Sequence, residues 1–119
     1  MNNSTLLGLF AVCSLAMGCA SAYRLGGADA RRTLVEGHLE LETYGLQPGW
    51  NDRYEMLLLN RYGVKTRGVA GCISDHQTRE HARGYNEVMS AEVERRFGPD
   101  VWERTEREAR GLNEKPNPN

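Results

Sequence analysis

Two short β-prone segments separated by one amphipathic helical segment constrain the fold of this chain more than any other feature. The first segment, residues 38–45, alternates, with Leu39 and Leu41 on one side and Glu40 and Glu42 on the other. Alternation with a period of two is typical of a half-buried strand. The order strand, helix, strand within about 30 residues predicts a βαβ unit, in which the two strands are parallel.

The helical segment between the two strands has defined ends. Asn51 is placed to cap its amino terminus, because a side-chain oxygen there can accept from free backbone N–H groups. Gly63 is expected to end the helix in a left-handed conformation. The second strand, residues 64–70, follows at once and ends just before Cys72. In open α/β sheets, ligands and reactive groups tend to lie at this end of the strands.

The carboxy-terminal third of the chain is helical in pattern. Ser74 and Gln77 fit a capping box that opens a helix ending near Phe97, and a final helix follows. The sequence therefore predicts one small α/β or α+β domain over residues 29–112, in which a two-stranded core is covered by three or four helices. The polar residues 113–119 contain two prolines and are predicted to be a disordered tail.

The amino-terminal segment differs from the rest of the chain in both charge and hydropathy. The first 22 residues carry no Asp, Glu, Lys or Arg, and residues 6–19 are a continuous run of 14 apolar and small residues. A membrane-spanning helix needs about 20 such residues, whereas the core of an export signal needs about 7–15. The run therefore favours an export signal over a permanent membrane span.

The end of this run, AMGC at residues 16–19, resembles the lipobox of bacterial lipoprotein precursors. The resemblance implies that residues 1–18 are a signal peptide and that Cys19 becomes the lipidated amino terminus. Acyl chains such as palmitate would then anchor the protein in a membrane of the cell envelope. Ala20 follows Cys19, in place of the Asp that would favour inner-membrane retention, so the resemblance implies the outer membrane or the periplasmic side.

Two other interpretations of this segment stay open. Ala20, Ser21 and Ala22 fit the small-x-small pattern of ordinary signal peptidase, which would release a soluble secreted or periplasmic chain that starts at Tyr23. The segment could instead be a buried amino-terminal helix with two incidental cysteines. Under either cleavage Cys72 is the one remaining free thiol, so no intrachain disulfide is predicted.

The stretch between the signal and the domain is predicted to be a tether. Residues 19–28 comprise the lipidated Cys and a segment in which residues 23–28 contain two glycines and no periodicity. Asp29 is placed to cap a short helix that reaches Val35, because its carboxylate can accept free backbone N–H groups. The folded domain is thus expected to begin at Asp29.

Charge and composition limit the partners that the chain can have. Fifteen basic residues stand against sixteen acidic ones, so the net charge is −1. A general nucleic-acid binder normally carries a basic excess, and nucleic acid is therefore not an expected partner. With 39% hydrophobic and 26% charged residues, the composition is typical of a folded globular domain.

Catalytic and metal-binding chemistry are hypotheses that the residue spacing does not favour. Cys72 precedes a helix amino terminus, where a thiolate is stabilised, and it could pair with a nearby His. The candidate metal ligands are His38, Cys72, Asp75, His76 and His81. His76 and His81 are five residues apart, about 140° around a helix, whereas helical zinc pairs sit at i and i+4. No catalytic residue, metal or cofactor is predicted.

A small polar-rimmed pocket is the remaining candidate site. Tyr44 and Trp50 flank the turn after the first strand, on the same side of the βαβ unit as Cys72. Together with Asp75 and Asn86 they form the predicted pocket. Ordinary packing of a loop is the competing interpretation.

The favoured function is that of a non-enzymatic envelope lipoprotein that binds a protein or an envelope component, or has a structural role at the membrane surface. The alternative hypothesis is a small secreted thiol-dependent enzyme or redox protein that uses Cys72. A two-stranded sheet leaves both of its edges open, so a homodimer that extends the sheet is a further expectation.

Overall fold

Helices and strands alternate along the chain in the order that the hydropathy pattern predicts. The computed structural model describes residues 14–112, with side chains described from Ser21 onward. The elements of this part are α1 (Ser14–Val35), β1 (Leu39–Tyr44), α2 (Asn51–Tyr62), β2 (Val64–Ala70), α3 (His76–Phe97) and α4 (Val101–Ala109). The predicted fold class, a small α+β domain with a two-stranded parallel sheet covered by helices, is confirmed.

The sheet consists of β1 and β2 in parallel, as expected for strands joined by a helical crossover. Leu39 pairs with Val64, and the register continues as far as Thr43 opposite Gly68. The register then shifts, so that Tyr44 pairs with Ala70. The left-handed cap at the end of α2 is also confirmed, since Gly63 has a φ of 68° and its N–H donates to the carbonyls of Leu58 and Leu59.

The core lies where the sheet meets α3. Tyr85, Met89 and Val93 on one face of α3 are buried against Leu39 and Val64 of the two strands. The buried core residues are Ala30, Leu39, Leu58, Val64, Tyr85, Met89, Val93 and Val101. This core draws on every helix and both strands, so the four helices stabilise the short sheet that could not stand alone.

Helices α1 and α3 approach each other closely at two glycines, Gly26 and Gly84. A Cβ atom at Gly26 would lie 2.0 Å from the carbonyl oxygen of His81, and one at Gly84 would lie 2.0 Å from the carbonyl oxygen of Tyr23. Real Cβ atoms do not come this close to backbone, so the helices cross at a distance that only glycine permits. Around the crossing, Tyr23 donates from its hydroxyl to Glu87 Oε2 at 2.6 Å.

The prediction of a tether over residues 23–28 is therefore wrong, as is the prediction of a helix that begins at Asp29. Both stretches belong to the continuous helix α1. Gly26 and Gly27 are buried at the crossing with α3, and Ala30 is buried in the core. Gly26, one of the two glycines that suggested flexibility, instead allows the helices to pack.

Two predicted helix caps differ by one residue from those observed. The residue before α2 is Trp50, and Asn51 lies inside the helix, where its side chain donates to Glu55 Oε1 at 2.8 Å. Asp75, not Ser74, caps α3 by accepting from the N–H of Thr78 at 2.7 Å. Asp and Ser have similar preferences for the N-cap position, so residue type alone does not decide whether Ser74 or Asp75 caps the helix.

Several predictions fall outside the described residues. The signal peptide, the lipobox and the lipidation of Cys19 depend on residues 1–13 and on side chains before Ser21, and the predicted tail is residues 113–119. None of the helices within residues 14–112 is long and apolar enough to cross a membrane.

Candidate functional site

A buried carboxylate on β1 marks the candidate site. The side chain of Glu42 is only 2% exposed, although the alternation of β1 places it on the polar side of the strand. It is buried because α3 covers this side of β1, while α2 provides the crossover between the two strands. A buried charge is unfavourable unless it is paired and hydrogen-bonded, so its partners define the site.

The partners of Glu42 come from β2 and α3. Arg67, directly opposite in the sheet, donates from Nη2 to Glu42 Oε1 at 2.8 Å. The same guanidinium donates from Nε to Glu40 Oε1 at 2.8 Å. The second oxygen of Glu42, Oε2, lies 3.0 Å from Nδ1 of His81. Both carboxylate oxygens are therefore engaged, which accounts for a charge at this depth.

His81 extends the network to α1. Its Nε2 lies 3.0 Å from Asp29 Oδ2, so the ring bridges two carboxylates on different elements. A neutral imidazole has one N–H, and ionised carboxylates only accept, so both bonds form together only when the ring is doubly protonated. Partial burial by itself lowers the pKa of His81, but hydrogen bonds to Asp29 and Glu42 outweigh it and raise that pKa above 6.5.

We refer to Asp29, Glu40, Glu42, Arg67 and His81 as the polar cluster. It joins α1, β1, β2 and α3 through charged side chains. Three carboxylates meet the guanidinium of Arg67 and the imidazole ring of His81, and the ring adds a second positive charge when it is protonated. Alternating positive and negative side chains of this kind fix the relative positions of the helices and strands that carry them, and they leave little net charge in the cluster.

Asn86 closes the outer edge of β1 beside the polar cluster. Its Oδ1 accepts from the backbone N–H of Glu42 at 2.8 Å, and its Nδ2 donates to the carbonyl of Glu42 at 2.7 Å. One side-chain amide thus satisfies both backbone groups as a neighbouring strand would. The predicted sheet-extending homodimer would meet this closed position on β1, and β2 carries the other edge of the sheet.

A groove opens to solvent above the polar cluster and has a volume of about 410 Å³. Its wall contains side chains from α1, both strands and the first turns of α3. The lining residues are Ala22, Leu25, Glu42, Arg67, Val69, Gln77, Thr78 and His81. The groove therefore combines an apolar side with polar groups and has the paired charges of the cluster at one end. Sites that bind ligands or partner segments have this combination.

A second groove, of about 490 Å³, runs between α2 and β2. Met56 and Leu59 expose about half of their surface there, beside Lys65 and Glu55. The charged side chains of this groove are exposed or half-buried, whereas the first groove contains the buried Glu42. Burying a charged side chain is energetically unfavourable unless it is paired, whereas an exposed charge carries no such penalty. The first groove is therefore the candidate site.

The structure gives four of the five residues of the predicted pocket separate local contacts. Trp50 packs its ring edge-on to Tyr54 at 5.7 Å, and Asp75 accepts from Thr78 as the cap of α3. The carbonyl of Tyr44 accepts from Gln47 at 3.0 Å, while Asn86 binds the backbone of Glu42. Cys72 is exposed and free in the loop before α3. Four of the five residues therefore contact a side chain or backbone outside the predicted set, and the assembly of all five in one pocket stays a prediction.

The residues that sequence reasoning missed are those of the polar cluster. Glu40 and Glu42 were assigned to the polar side of a half-buried strand, and His81 was considered only as a metal ligand. The available signal was the βαβ unit itself, because parallel sheets usually have helices on both faces. A Glu on β1 then needs a buried partner, and Arg67 lies at the matching position of β2.

Within the described side chains, no group of three or more His, Cys, Asp or Glu residues is arranged to hold a metal ion. Comparison of the chain with models of known protein families, with curated proteins and with solved structures found no match.

Proposed function

We propose that this chain is a lipid-anchored, non-enzymatic protein of the bacterial cell envelope that binds a protein or another envelope component in the groove above the polar cluster. The observation that carries the anchor is the apolar run of residues 6–19, which is too short to span a bilayer and ends in Gly18-Cys19. Acyl chains on Cys19 would hold the domain at one leaflet, because each buried CH₂ contributes about 0.8 kcal/mol.

The bonding within the polar cluster supports binding over acid–base catalysis. Both ring nitrogens of His81 lie at hydrogen-bond distance from carboxylates, and both oxygens of Glu42 are engaged by Arg67 and His81. A general base needs a free lone pair within reach of a substrate proton. Both ring nitrogens of His81 instead face carboxylates of the protein, so neither is free for a substrate, and the cluster fixes the shape of the groove.

The remaining wall of the groove suits a partner with both apolar and polar groups. Leu25 is 57% exposed and Val69 is half-buried, so apolar surface is available there. Gln77 and the half-buried Thr78 add an amide and a hydroxyl from the first turns of α3. A short segment of a partner protein, or an envelope component of mixed polarity, fits this chemistry.

Intact-mass measurement of the wild-type chain and of Cys19→Ser, both expressed with their signal segment in a Gram-negative host, tests the anchor. We expect the wild-type protein to begin at Cys19 with covalent acyl groups, and Cys19→Ser to accumulate as the full-length precursor without incorporating labelled fatty acid. A wild-type mass that matches unlipidated chain from Tyr23 to Asn119 contradicts the anchor.

Site-specific photo-crosslinking in envelope preparations tests the groove. A photoreactive residue at Gln77 is compared with one at Glu103, which is also exposed but lies on α4, outside the groove. We expect a discrete crosslinked product from position 77 and not from position 103. Equal crosslinking at the two positions, or at neither, contradicts a partner in the groove.

A further inference from the structure

Two loops at the carboxyl end of the sheet carry large apolar side chains that are almost fully exposed. Leu46, in the loop after β1, is 87% exposed, and Ile73, in the loop after β2, is 93% exposed. A single exposed apolar residue is ordinary, but several at one end of a small domain are typical of an interaction surface.

A backbone hydrogen bond brings these two loops together. The N–H of Gly45 donates to the carbonyl of Gly71 at 3.1 Å, and Leu46 and Ile73 each lie within two residues of that bond. Leu25 of α1 belongs to the same end, because it lines the groove with Val69 at the end of β2. We refer to Leu25, Leu46 and Ile73 as the apolar rim.

The position of the rim along α1 indicates what covers it. Cys19 lies six residues before Leu25 in the continuous helix α1, which corresponds to about 9 Å of helix at 1.5 Å per residue. An acylated Cys19 would be held at the surface of a bilayer. The rim is then the apolar part of the domain that lies within reach of that surface.

Charge at this end of the domain agrees with a lipid partner. Arg24 is exposed beside Leu25, and Arg79 is exposed in the first turn of α3. The acidic residues nearby have partners: Asp75 caps α3 by accepting from Thr78, and Glu80 is paired with Arg83. Exposed arginines next to apolar side chains favour a surface that contains anionic lipid headgroups.

We propose that the apolar rim inserts into the headgroup region of a phospholipid bilayer as a second attachment, so that the sheet's carboxyl end and the groove face the membrane. This inference rests on the proposed lipid anchor at Cys19, which supplies the first attachment. It names the partner of the rim as lipid and implies that a ligand of the groove is met at the membrane surface.

Depth-dependent quenching on the full processed protein tests this orientation. The lipidated chain is reconstituted in vesicles of phosphatidylcholine and phosphatidylglycerol, with an environment-sensitive fluorophore on the native thiol of Cys72, next to Ile73. The control carries the fluorophore at the opposite end of α1, as Val35→Cys with Cys72→Ser, because Val35 is 89% exposed. We expect spin-labelled lipids to quench the label at position 72 several-fold more strongly than the label at position 35. Equal quenching at the two positions overturns the proposal.

A charge substitution separates failure of the rim from failure of the anchor. Intact mass reports acylation by itself. In a chain that begins at Ala20, and so lacks both the apolar run and the acylated Cys19, co-sedimentation with the same vesicles is compared for Leu46→Asp with Ile73→Asp and for Val35→Asp. We expect about a ten-fold weaker partition for the rim variant and an unchanged partition for Val35→Asp, because only the rim variant removes apolar burial from the bilayer. Equal partition of the two variants overturns the rim, whatever the mass of the wild-type protein shows.

Discussion

The contact of α1 with α3 and the contact of α2 with α4 are built in different ways. The first depends on Gly26 and Gly84, where backbone lies against backbone and an added Cβ would meet a carbonyl oxygen at 2.0 Å. The second depends on side chains. Burial and the carboxylate of Glu106 on α4 raise the pKa of Tyr54 on α2 to about 12, and Arg61 on α2 forms a two-bonded ion pair with Glu108 on α4.

The two contacts should tolerate substitution to different degrees. Side chains at the contact of α2 with α4 can adopt other rotamers. Several neighbours can therefore adjust to the change in volume that a small substitution makes. Backbone atoms at the α1–α3 crossing cannot move without shifting a whole helix. Because α1 also supplies Asp29 to the polar cluster and Leu25 to the groove, the site depends on the less adaptable of the two contacts.

The largest expected effect comes from adding one methyl group at the crossing. We expect Gly84→Ala to lower the free energy of unfolding by about 3 kcal/mol, because the new Cβ forces α1 away from α3. Urea unfolding followed by the fluorescence of Trp50 and Trp102 measures this change.

Gly27→Ala is the matched control for Gly84→Ala. It makes the same substitution at the same crossing, but on α1 and next to the close-approach residue Gly26. A Cβ at Gly27 would lie at 3.5 Å or more from its neighbours, which is ordinary van der Waals contact. We expect this variant to be as stable as wild type, or more stable by up to about 1 kcal/mol through helix propensity. Similar losses for Gly84→Ala and Gly27→Ala would contradict the backbone contact.

The next largest effect is expected at the buried carboxylate. We expect Glu42→Ala to lower the free energy of unfolding by about 2–3 kcal/mol, because Arg67 and His81 lose a charged partner at a site where water does not easily replace it. Glu103→Ala removes a carboxylate that is 77% exposed and serves as the control, with little change expected. Equal effects from the two substitutions would show that burial of Glu42 has no energetic consequence.

A smaller, pH-dependent effect is expected from His81. Its folded-state pKa is raised, so its contribution to stability is fully present below the unfolded value of about 6.5 and is lost as the pH rises through the folded value. We expect wild type to exceed His81→Gln in unfolding free energy by about 1 kcal/mol at pH 6, and the difference to shrink toward pH 9. The groups that face the ring are Asp29, Glu42 and the ring of Tyr85 at 6.3 Å. A difference that grows with pH would contradict this sign.

The sequence predicted the elements of the sheet better than it predicted their surroundings. Alternation in residues 38–45 and the Gly63 cap are local signals, and both strands and their parallel pairing follow from them. The course of α1 is not local. Glycine lowers helix propensity, and only the approach of α3 makes it favourable at Gly26.

The candidate site was missed for a related reason. Whether Glu42 faces water or a helix depends on where α3 lies, and a period of two in one strand cannot tell a solvated face from a second buried face. The residues named for a pocket were chosen because they border the turns after β1 and β2. In the structure, the hydrogen-bonded charged residues Glu42, Arg67 and His81 lie between the strands and α3. Glu42 and Arg67 are within the strands, before the turns.

Amide hydrogen exchange along α1 measures whether this helix is a structural part of the domain and forms one wall of the groove. We predict that amides of residues 25–34 exchange with protection within about ten-fold of that at Tyr85 and Met89 in the core of α3, because the two helices can open only together. Exchange of residues 23–28 at the rate of an unstructured peptide, with α3 still protected, would contradict the claim and restore the tether.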